Sequence, residues 1–392
     1  MAEGQGAELG HADLEPGHAD LVDASAPTAV LPEAAVAGAR GRSATGAFRG
    51  VPRAYFEEAA QIGSAVLADS AVSERVYGLG GLRCRVRYGD RAAEAAVHRA
   101  LAHVEISPAG PPDLTIGVWD ETQAARLLPE PHPHMLVDYR NHCLELCSDA
   151  RYLALEERWL GTRSFIDRQA GVAWYCMRDA RALPYYERAA PLRSLLNALL
   201  VGRGRHLVHA AAVGTSAGGV LLTGPPGAGK SSSALACLGG KLGFVADDWC
   251  GVTAGPGPRI FSVYASAKLR IDGLDRFPEM RERIDNFDRL DEEKATAFLS
   301  EHWRSGLLAD CPVKAIFIPE VAGGARTAVV PTSGKEAWRA MTSWTLKQLT
   351  GCGRDSIALL TRFAASLPAF RLRLGGDRHE VRAALEEALA RL

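Results

Sequence analysis

Residues 220–231 read VLLTGPPGAGKS, and this stretch decides the fold of the C-terminal half of the chain. The apolar run that ends at Thr223 predicts a buried strand, residues 224–229 predict a glycine-rich turn, and Lys230 opens a helical pattern. The turn fits G-x-x-x-x-G-K-[ST], in which glycines let consecutive N–H groups point inward around phosphate oxygens. Lys230 would bring positive charge to the β- and γ-phosphates, and the Ser231 hydroxyl could complete a magnesium shell. The stretch therefore predicts a nucleotide-binding α/β domain.

The alternative interpretation of this motif is a glycine-rich turn that caps an ordinary helix. Lysine is rare in the chain, and Lys230 is the first one from the amino terminus, which makes the match specific. The strand–turn–helix context also favours phosphate binding. The predicted nucleotide-binding residues are Gly224, Pro225, Pro226, Gly227, Ala228, Gly229, Lys230, Ser231 and Ser232.

Two adjacent carboxylates, Asp247 and Asp248, follow the apolar run 242–246 soon after the predicted helix. The carboxyl ends of strands in an α/β sheet converge on the ligand crevice. Two carboxylates there suit phosphoryl transfer, one holding magnesium and the other accepting a hydroxyl proton. Neighbouring strand residues point to opposite faces, so this use of the pair requires a bend after Ala246.

At these residues the chain resembles the HPr kinase/phosphorylase group, whose nucleotide fold is also related to that of ATP-dependent phosphoenolpyruvate carboxykinase. The matching pieces are His209 within LVHA, the loop GPPGAGKS, the pair within VADD, and Arg270 within KLRIDGL. The interval between Lys230 and Asp247 is too short for another strand–helix unit, which also favours this family. The resemblance covers roughly residues 205–385.

The resemblance implies a role for each matching residue. Asp247 would accept the proton of a substrate hydroxyl, Ser231 and Asp248 would bind Mg²⁺, and His209 would lie near the transferred phosphoryl group of ATP. Arg270 would clamp the developing phosphoryl charge. Which aspartate is the base and which binds metal stays open. The acceptor could be a peptide, a protein or a small alcohol, and the family is often oligomeric.

Composition excludes several other classes. The chain has 392 residues, 47% of them hydrophobic, and a formal net charge of -1, so it lacks the overall basic charge typical of proteins that bind nucleic acid or anionic membranes. No uninterrupted apolar run is long enough for a membrane helix, and acidic residues precede the first apolar run, unlike a signal peptide. Eight cysteines are too few for a disulfide framework. These features predict a soluble cytoplasmic protein.

Three regions follow from the patterns along the chain. Residues 1–50 are rich in Ala, Gly, Pro and acidic residues and predict a disordered tail. Residues 51–195 predict a smaller α+β accessory or substrate-recognition domain, with helices at 54–67 and 92–103 and strands at 114–118 and 171–177. Residues 196–392 predict the HPr-kinase-like nucleotide-binding and catalytic domain. Its predicted elements are a helix at 192–201, a strand at 207–213, the strand–turn–helix of the loop, exposed helices over 276–301, a strand at 313–318 and a closing helix at 380–392.

His132, His134, His142, Cys143 and Cys147 crowd one segment, but their spacing is not that of paired zinc ligands. We interpret the two cysteines as buried thiols in a strand. The whole pattern thus predicts an ATP-dependent kinase that phosphorylates a hydroxyl, with Ser or Thr of a peptide or protein as the favoured acceptor. Two alternatives remain: a nucleotide-gated regulatory protein without an acceptor, and a small-molecule alcohol kinase. Phosphorylase activity at the same site is a further possibility.

Overall fold

A computed structural model describes residues 51–70, 73–124, 127–131, 138–140, 143–324, 326–350 and 352–392. The predicted disordered tail, residues 1–50, lies outside this part. So do His132, His134 and His142 and the side chains of Cys143 and Cys147, so the interpretation of those cysteines stays a prediction.

The first mixed sheet carries strands in the order β1-β2-β3-β8-β7-β6-β5-β4 over the described residues. Strand β3 runs parallel to β2 and β8, and the other neighbours are antiparallel. The strands and accompanying helices are α1 (Val51–Ser70), β1 (Ser73–Leu79), β2 (Leu82–Tyr88), α2 (Arg91–Leu101), β3 (Leu114–Asp120), β4 (Asp138–Arg140), β5 (Cys143–Ser148), β6 (Tyr152–Glu157), β7 (Thr162–Asp167), β8 (Val172–Met177), α3 (Tyr185–Arg188) and α4 (Arg193–Val201). The helices and strands predicted in this region are confirmed.

The second mixed sheet is centred on the long strand β17. Its elements and their neighbours are β9 (Arg205–Val208), β10 (Ala210–Thr215), β11 (Gly218–Thr223), α5 (Lys230–Ala236), β12 (Gly243–Ala246), β13 (Cys250–Thr253), β14 (Arg259–Phe261), β15 (Ser266–Leu269), α6 (Pro278–Arg281), β16 (Ala295–Phe298), β17 (Asp310–Gly324), β18 (Ala328–Thr332), α7 (Gly334–Gln348), α8 (Arg354–Ala365), β19 (Ala369–Gly375) and α9 (Arg378–Arg391). The strand order is β12-β10-β11-β17-β14-β13-β9, with β19 and then β18 added beside β17, while β15 and β16 pair with each other. The predicted α/β class is confirmed.

The apolar run in β11 reflects helices on both faces of this sheet. Val220 and Leu222 pack on one side with α5 and α9, and Leu221 packs on the other with α7 and α8. Because successive strand residues alternate between faces, a strand covered on both sides needs apolar residues at every position. The covered strand holds the following loop on a rigid base.

Strand directions bring three chain segments to one edge of the sheet. β10 lies between β11 and β12 and is antiparallel to both, so β11 and β12 run in the same direction. Ala210 at the start of β10 pairs with Thr223 at the end of β11, and Ala212 pairs with Ala246 at the end of β12. The loop after Thr223, the residues after Ala246 and the residue before Ala210 therefore meet at this edge.

The predicted single strand at 207–213 is wrong, because the chain forms two strands that break at His209. β9 pairs with β13, whereas β10 pairs with β11 and β12. The backbone leaves one ladder and joins another at His209, whose N–H donates to Thr345 Oγ1 at 2.9 Å. An apolar run alone cannot reveal such a change of partner.

The predicted exposed helices over 276–301 are also wrong. The segment contains the one-turn helix α6, several 3₁₀ turns and strand β16, which pairs antiparallel with β15. The four residues of β16 are buried, and this pairing overrides the helical composition around them. The other predicted elements of this region are confirmed. Among the described residues, no helix combines the length and apolarity needed to cross a membrane.

Candidate active site

The glycine-rich loop connects β11 directly to α5. Gly224, Gly227 and Gly229 have φ values of 150°, 79° and 101°, which side-chain-bearing residues rarely adopt. At Gly229 a Cβ atom would also lie 2.3 Å from Leu374 Cδ1. The sequence G-x-x-x-x-G is thus needed for the path of the backbone. Within the loop, Pro225, Pro226 and Gly227 are exposed, and Ser231 and Ser232 at the start of α5 are half-buried.

Lys230 is buried and folds back onto the loop that precedes it. Its Nζ donates to the carbonyl oxygens of Gly224 at 2.8 Å and Pro225 at 3.1 Å. Burial is the main cause that lowers the pKa of Lys230; the charges of Asp248 and Asp247 oppose it, that of Lys294 adds to it, and together they give a pKa of about 8. Among the described residues, the hydrogen-bond acceptors of this buried ammonium group are neutral carbonyls, which makes the group a good binding partner for an anion.

The chain bends sharply after β12. Asp248 has φ 67°, in the left-handed region, and the Trp249 N–H donates to the Asp247 carbonyl at 2.8 Å. This conformation is costly for a residue other than glycine and is found mainly where the surrounding structure enforces it. The bend that the carboxylate pair requires is therefore present.

Asp247 is the first residue after β12 and is only 1% exposed. Its Oδ2 accepts the Lys268 N–H at 3.1 Å, while Oδ1 is buried with no hydrogen-bond partner among the described residues. Burial and then the charge of Asp248 raise the pKa of Asp247, and the neighbouring Ser231 hydroxyl opposes this shift. An unpartnered buried carboxylate oxygen costs about 1–3 kcal/mol or more, so this atom is poised to accept a proton or a cation.

Asp248 contacts two basic side chains. Its Oδ2 accepts from Lys268 Nζ at 2.6 Å, and its Oδ1 lies 3.1 Å from His209 Nε2. Burial alone would raise the pKa of Asp248, but Lys268 and His209 outweigh this effect and hold it well below its usual range. Asp248 is therefore a carboxylate that favours its charged form, and its two oxygens contact Lys268 and His209.

His209 reaches Asp248 because it occupies the break between β9 and β10. Its ring packs edge-on against Trp249, with centroids 5.6 Å apart, and its Nδ1 is buried without a partner in the described part of the chain. The site thus brings together His209, Lys230, Ser231, Asp247 and Asp248 from three strand ends.

Arg270 is the predicted site residue that these contacts do not include. It follows β15, its side chain is 68% exposed, and its ion-pair partner within the described residues is the exposed Asp272 at 3.3 Å. It makes no hydrogen bond to the loop or to the aspartates in that part of the chain. Its assignment as a phosphoryl clamp stays a prediction.

Sequence reasoning missed Lys268, although it quoted the segment that contains it. Lys268 Nζ also donates to the Tyr186 carbonyl at 3.1 Å, so it joins the aspartate pair to α3 of the first sheet region. The rarity of lysine could have identified both Lys268 and Lys294 as candidates, since the same argument identified Lys230.

The residues fit a magnesium–nucleotide complex better than a metal held by protein alone. Within the described residues, no group of three or more His, Cys, Asp or Glu side chains could hold a metal ion. Mg²⁺ in phosphoryl-transfer sites is bound by one or two protein ligands, with water and substrate phosphates completing its shell. The Ser231 hydroxyl together with one carboxylate of the pair, Asp247 or Asp248, would supply that smaller set.

Comparisons with known proteins add little to this geometry. No protein-family model matches the chain, and no curated protein matches it. A solved structure described as the Hpr(Ser) kinase/phosphatase from Coxiella burnetii is similar over 47% of this chain and 97% of its own, at 10% identity and a TM-score of 0.26. A match at this identity and score assigns neither a family nor an activity.

Proposed function

We propose that the protein is an ATP-dependent kinase that transfers the γ-phosphate to a hydroxyl group, with Ser or Thr of a peptide or protein as the favoured acceptor. The observation that carries the proposal is the left-handed turn at Asp248, which sets two carboxylates beside a glycine-rich loop containing a buried lysine. A nucleotide switch needs the loop but has no evident use for a second buried carboxylate with a free oxygen. A kinase uses both.

Nucleotide binding would rest on the loop. The backbone N–H groups of residues 224–229 and the hydroxyls of Ser231 and Ser232 would hold phosphate oxygens, and Lys230 would exchange its carbonyl partners for the β- and γ-phosphates. Lys294 is close enough to lower the pKa of Lys230, so a bound polyphosphate would relieve repulsion between these two cations. This relief adds to the preference for an anion.

We assign the magnesium ligands to Ser231 and Asp248. Asp248 stays charged because its pKa is well below the usual range, and a charged carboxylate is a good ligand for a hard cation. When bound with ATP, Mg²⁺ would neutralise charge on the transferring phosphoryl group. His209 and Lys268 would hold the Asp248 carboxylate in place.

We assign the proton acceptor to Asp247. Its Oδ1 is free, and its raised pKa makes it the better base of the two. A carboxylate paired with Lys268, as Asp248 is, binds a proton less readily. Arg270 would act late, by turning from Asp272 toward the phosphoryl group once ATP is bound.

The region before residue 196 would supply part of the binding site for the hydroxyl-bearing substrate. The Tyr186 carbonyl takes the same ammonium that pairs with Asp248, and the Tyr186 ring stacks on the partly exposed Trp159, with centroids 5.3 Å apart. Because the Tyr186 carbonyl contacts Lys268, this aromatic pair would suit a peptide with an apolar or aromatic residue near its hydroxyl. This supports the assignment of residues 51–195 to substrate recognition.

The test is an unbiased search for phosphorylated products. The protein and its Asp247→Asn variant are each incubated with Mg–ATP and a peptide, protein and metabolite extract, and products are compared by mass spectrometry. We expect new phosphorylated hydroxyls with the parent only. If both proteins bind Mg–ATP and neither yields a product, the kinase proposal fails and the nucleotide-gated alternative replaces it. Products confined to small alcohols would exclude the peptide acceptor.

A further inference from the structure

A cavity of about 540 Å³ opens between α2 and the segment around residue 300. It is lined by residues of α2, among them Arg91, Glu94, His98 and Arg99, and by Ser300 and Arg304 from the chain that follows β16. None of these residues belongs to the loop or to the aspartate pair. A volume in this range is typical of small-molecule sites.

The acidic residues of this cavity are already matched by arginines. Glu94 accepts from Arg75 at 2.6 Å, and Glu301 accepts from Arg99 at 2.8 Å. The hydrogen bond from Arg99 lowers the pKa of Glu301, while Arg75 outweighs burial and lowers the pKa of Glu94. Arg99 also reaches Asp285 at 2.5 Å, so its own charge is matched as well. These carboxylates therefore leave no negative charge for the other cations.

Two arginines and one hydroxyl at the cavity have no ion-pair or hydrogen-bond partner for their side chains among the described residues. Among the described residues, neither Arg91 nor Arg304 has an ion-pair partner or side-chain hydrogen bond. Ser300 is 7% exposed, and its hydroxyl is buried without a partner in that same part of the chain. Exposed arginines are often merely solvated, but a buried hydroxyl with no partner is uncommon and costs stability. All three groups can donate hydrogen bonds to oxygen anions.

We propose that this cavity binds a small organic anion with two or more negatively charged oxygens. Arg91 and Arg304 would each bind oxygens of the anion through their guanidinium groups, and Ser300 would donate its hydroxyl once its side chain turns toward the cavity. The methyl groups of Ala95 and Ala102 also line the cavity and would contact the carbon part of the ligand. A phosphate ester and a dicarboxylate both have this chemistry. The inference is independent of the proposed kinase activity.

The test measures binding of inorganic phosphate and of malonate, in separate titrations of the full chain by calorimetry. The variants are Arg91→Gln/Arg304→Gln, Ser300→Ala, Lys230→Ala and the control Arg181→Gln. Arg181 is an exposed arginine whose side chain, within the described residues, makes no ion pair. Both cavity arginines are exposed, so their substitution preserves the fold, and thermal unfolding verifies this.

We expect the parent to bind at least one probe, with affinity reduced roughly 10-fold or more in the double arginine variant, because it removes two charged hydrogen-bond donors. Ser300→Ala should weaken binding less, and Arg181→Gln and Lys230→Ala should leave this binding intact. Preference for phosphate or for malonate then identifies the ligand class. The proposal is overturned if neither probe binds, if the double variant binds like the parent, or if binding disappears in Lys230→Ala, which would place the anion in the loop.

Discussion

Two buried charge clusters of similar composition lie in this protein, and they differ in one respect that bears on function. The first joins Glu157, Glu187 and Arg193 near α3 and α4, and the second joins Asp247 and Asp248 to Lys268. In the first, Arg193 donates to Glu187 and lies 4.0 Å from Glu157, which also accepts from Thr162. Among the described residues, no oxygen of these two glutamates is buried without a partner, whereas Asp247 Oδ1 is.

Burial and a shifted pKa do not by themselves identify a functional site. Burial and the charge of Glu187 raise the pKa of Glu157 to about 7, yet no glycine-rich loop adjoins it. The cluster instead ties α3 and α4 to β6 and β7. In the second cluster, Asp247 Oδ1 is buried without a partner among the described residues, and Ser231, directly after the glycine-rich loop and Lys230, lies close to this carboxylate. Three predictions test this distinction, in order of decreasing effect, and a fourth concerns residues 1–50.

The largest effect is expected for Arg193→Met, which leaves two buried carboxylates without their cation. Removing one partner of a buried charge group costs about 3–5 kcal/mol, so the free energy of unfolding should fall by that amount. Denaturant titration measures it. If the variant is as stable as the parent, the first cluster is not structural, and the comparison fails. Where the variant folds, ATP affinity should equal that of the parent.

Lys230→Ala should weaken Mg–ATP binding by roughly 10²-fold, because it removes the charge that the loop directs at the phosphates. Lys241→Ala is the matched control, since Lys241 is an exposed lysine beyond the end of α5. Calorimetry compares the two. Unchanged affinity in a folded Lys230→Ala protein would show that nucleotide binds elsewhere.

Glu157→Gln should change how stability depends on pH. The pKa of Glu157 rises from its usual 4.5 to about 7 on folding, so between these values the folded state holds a proton that the unfolded state has lost. The parent should therefore lose stability as the pH rises through this window, and the variant should lose less. Chemical unfolding across the window tests this. Equal slopes in parent and variant would mean that Glu157 ionises normally.

Deletion of residues 1–50 should leave phosphoryl transfer unchanged. The segment carries little apolar surface and no phosphate-binding pattern. Turnover of a chain that starts at Val51 is compared with that of the full chain. Loss of turnover with the fold intact would assign substrate recognition to the deleted segment.

The sequence predicted the parts of the site that depend on local chemistry. The loop could be predicted because its glycines and Lys230 belong to a local motif that does not depend on the rest of the fold. The need for a bend after Ala246 could be predicted because neighbouring strand residues point to opposite faces. The break at His209 was not readable, because it depends on which strands each half of 205–215 joins. Lys268 was missed for the same reason, since its contacts to Asp248 and Tyr186 join residues distant in the chain.

In the fold, too, features set by local sequence could be predicted, whereas features set by pairing between distant segments could not. The apolar run 313–318 predicted the core of β17, but the full strand extends from Asp310 to Gly324 because different halves pair with β14 and β19. In 276–301, the charged composition hid strand β16, which pairs with β15 and whose four residues are buried. Tertiary pairing decides such short strands, and composition does not.

The most direct test of the proposed division of roles within the aspartate pair is magnesium-titrated ATP binding and phosphoryl transfer for Asp247→Asn and Asp248→Asn. Asp247→Asn should bind Mg–ATP nearly as the parent does while transfer falls by roughly 10²-fold or more, because an amide cannot accept the hydroxyl proton. Asp248→Asn should instead lose much of the magnesium dependence of ATP binding, since a neutral ligand holds a hard cation less well. Transfer at the parent rate by both variants would contradict the catalytic assignment of the pair.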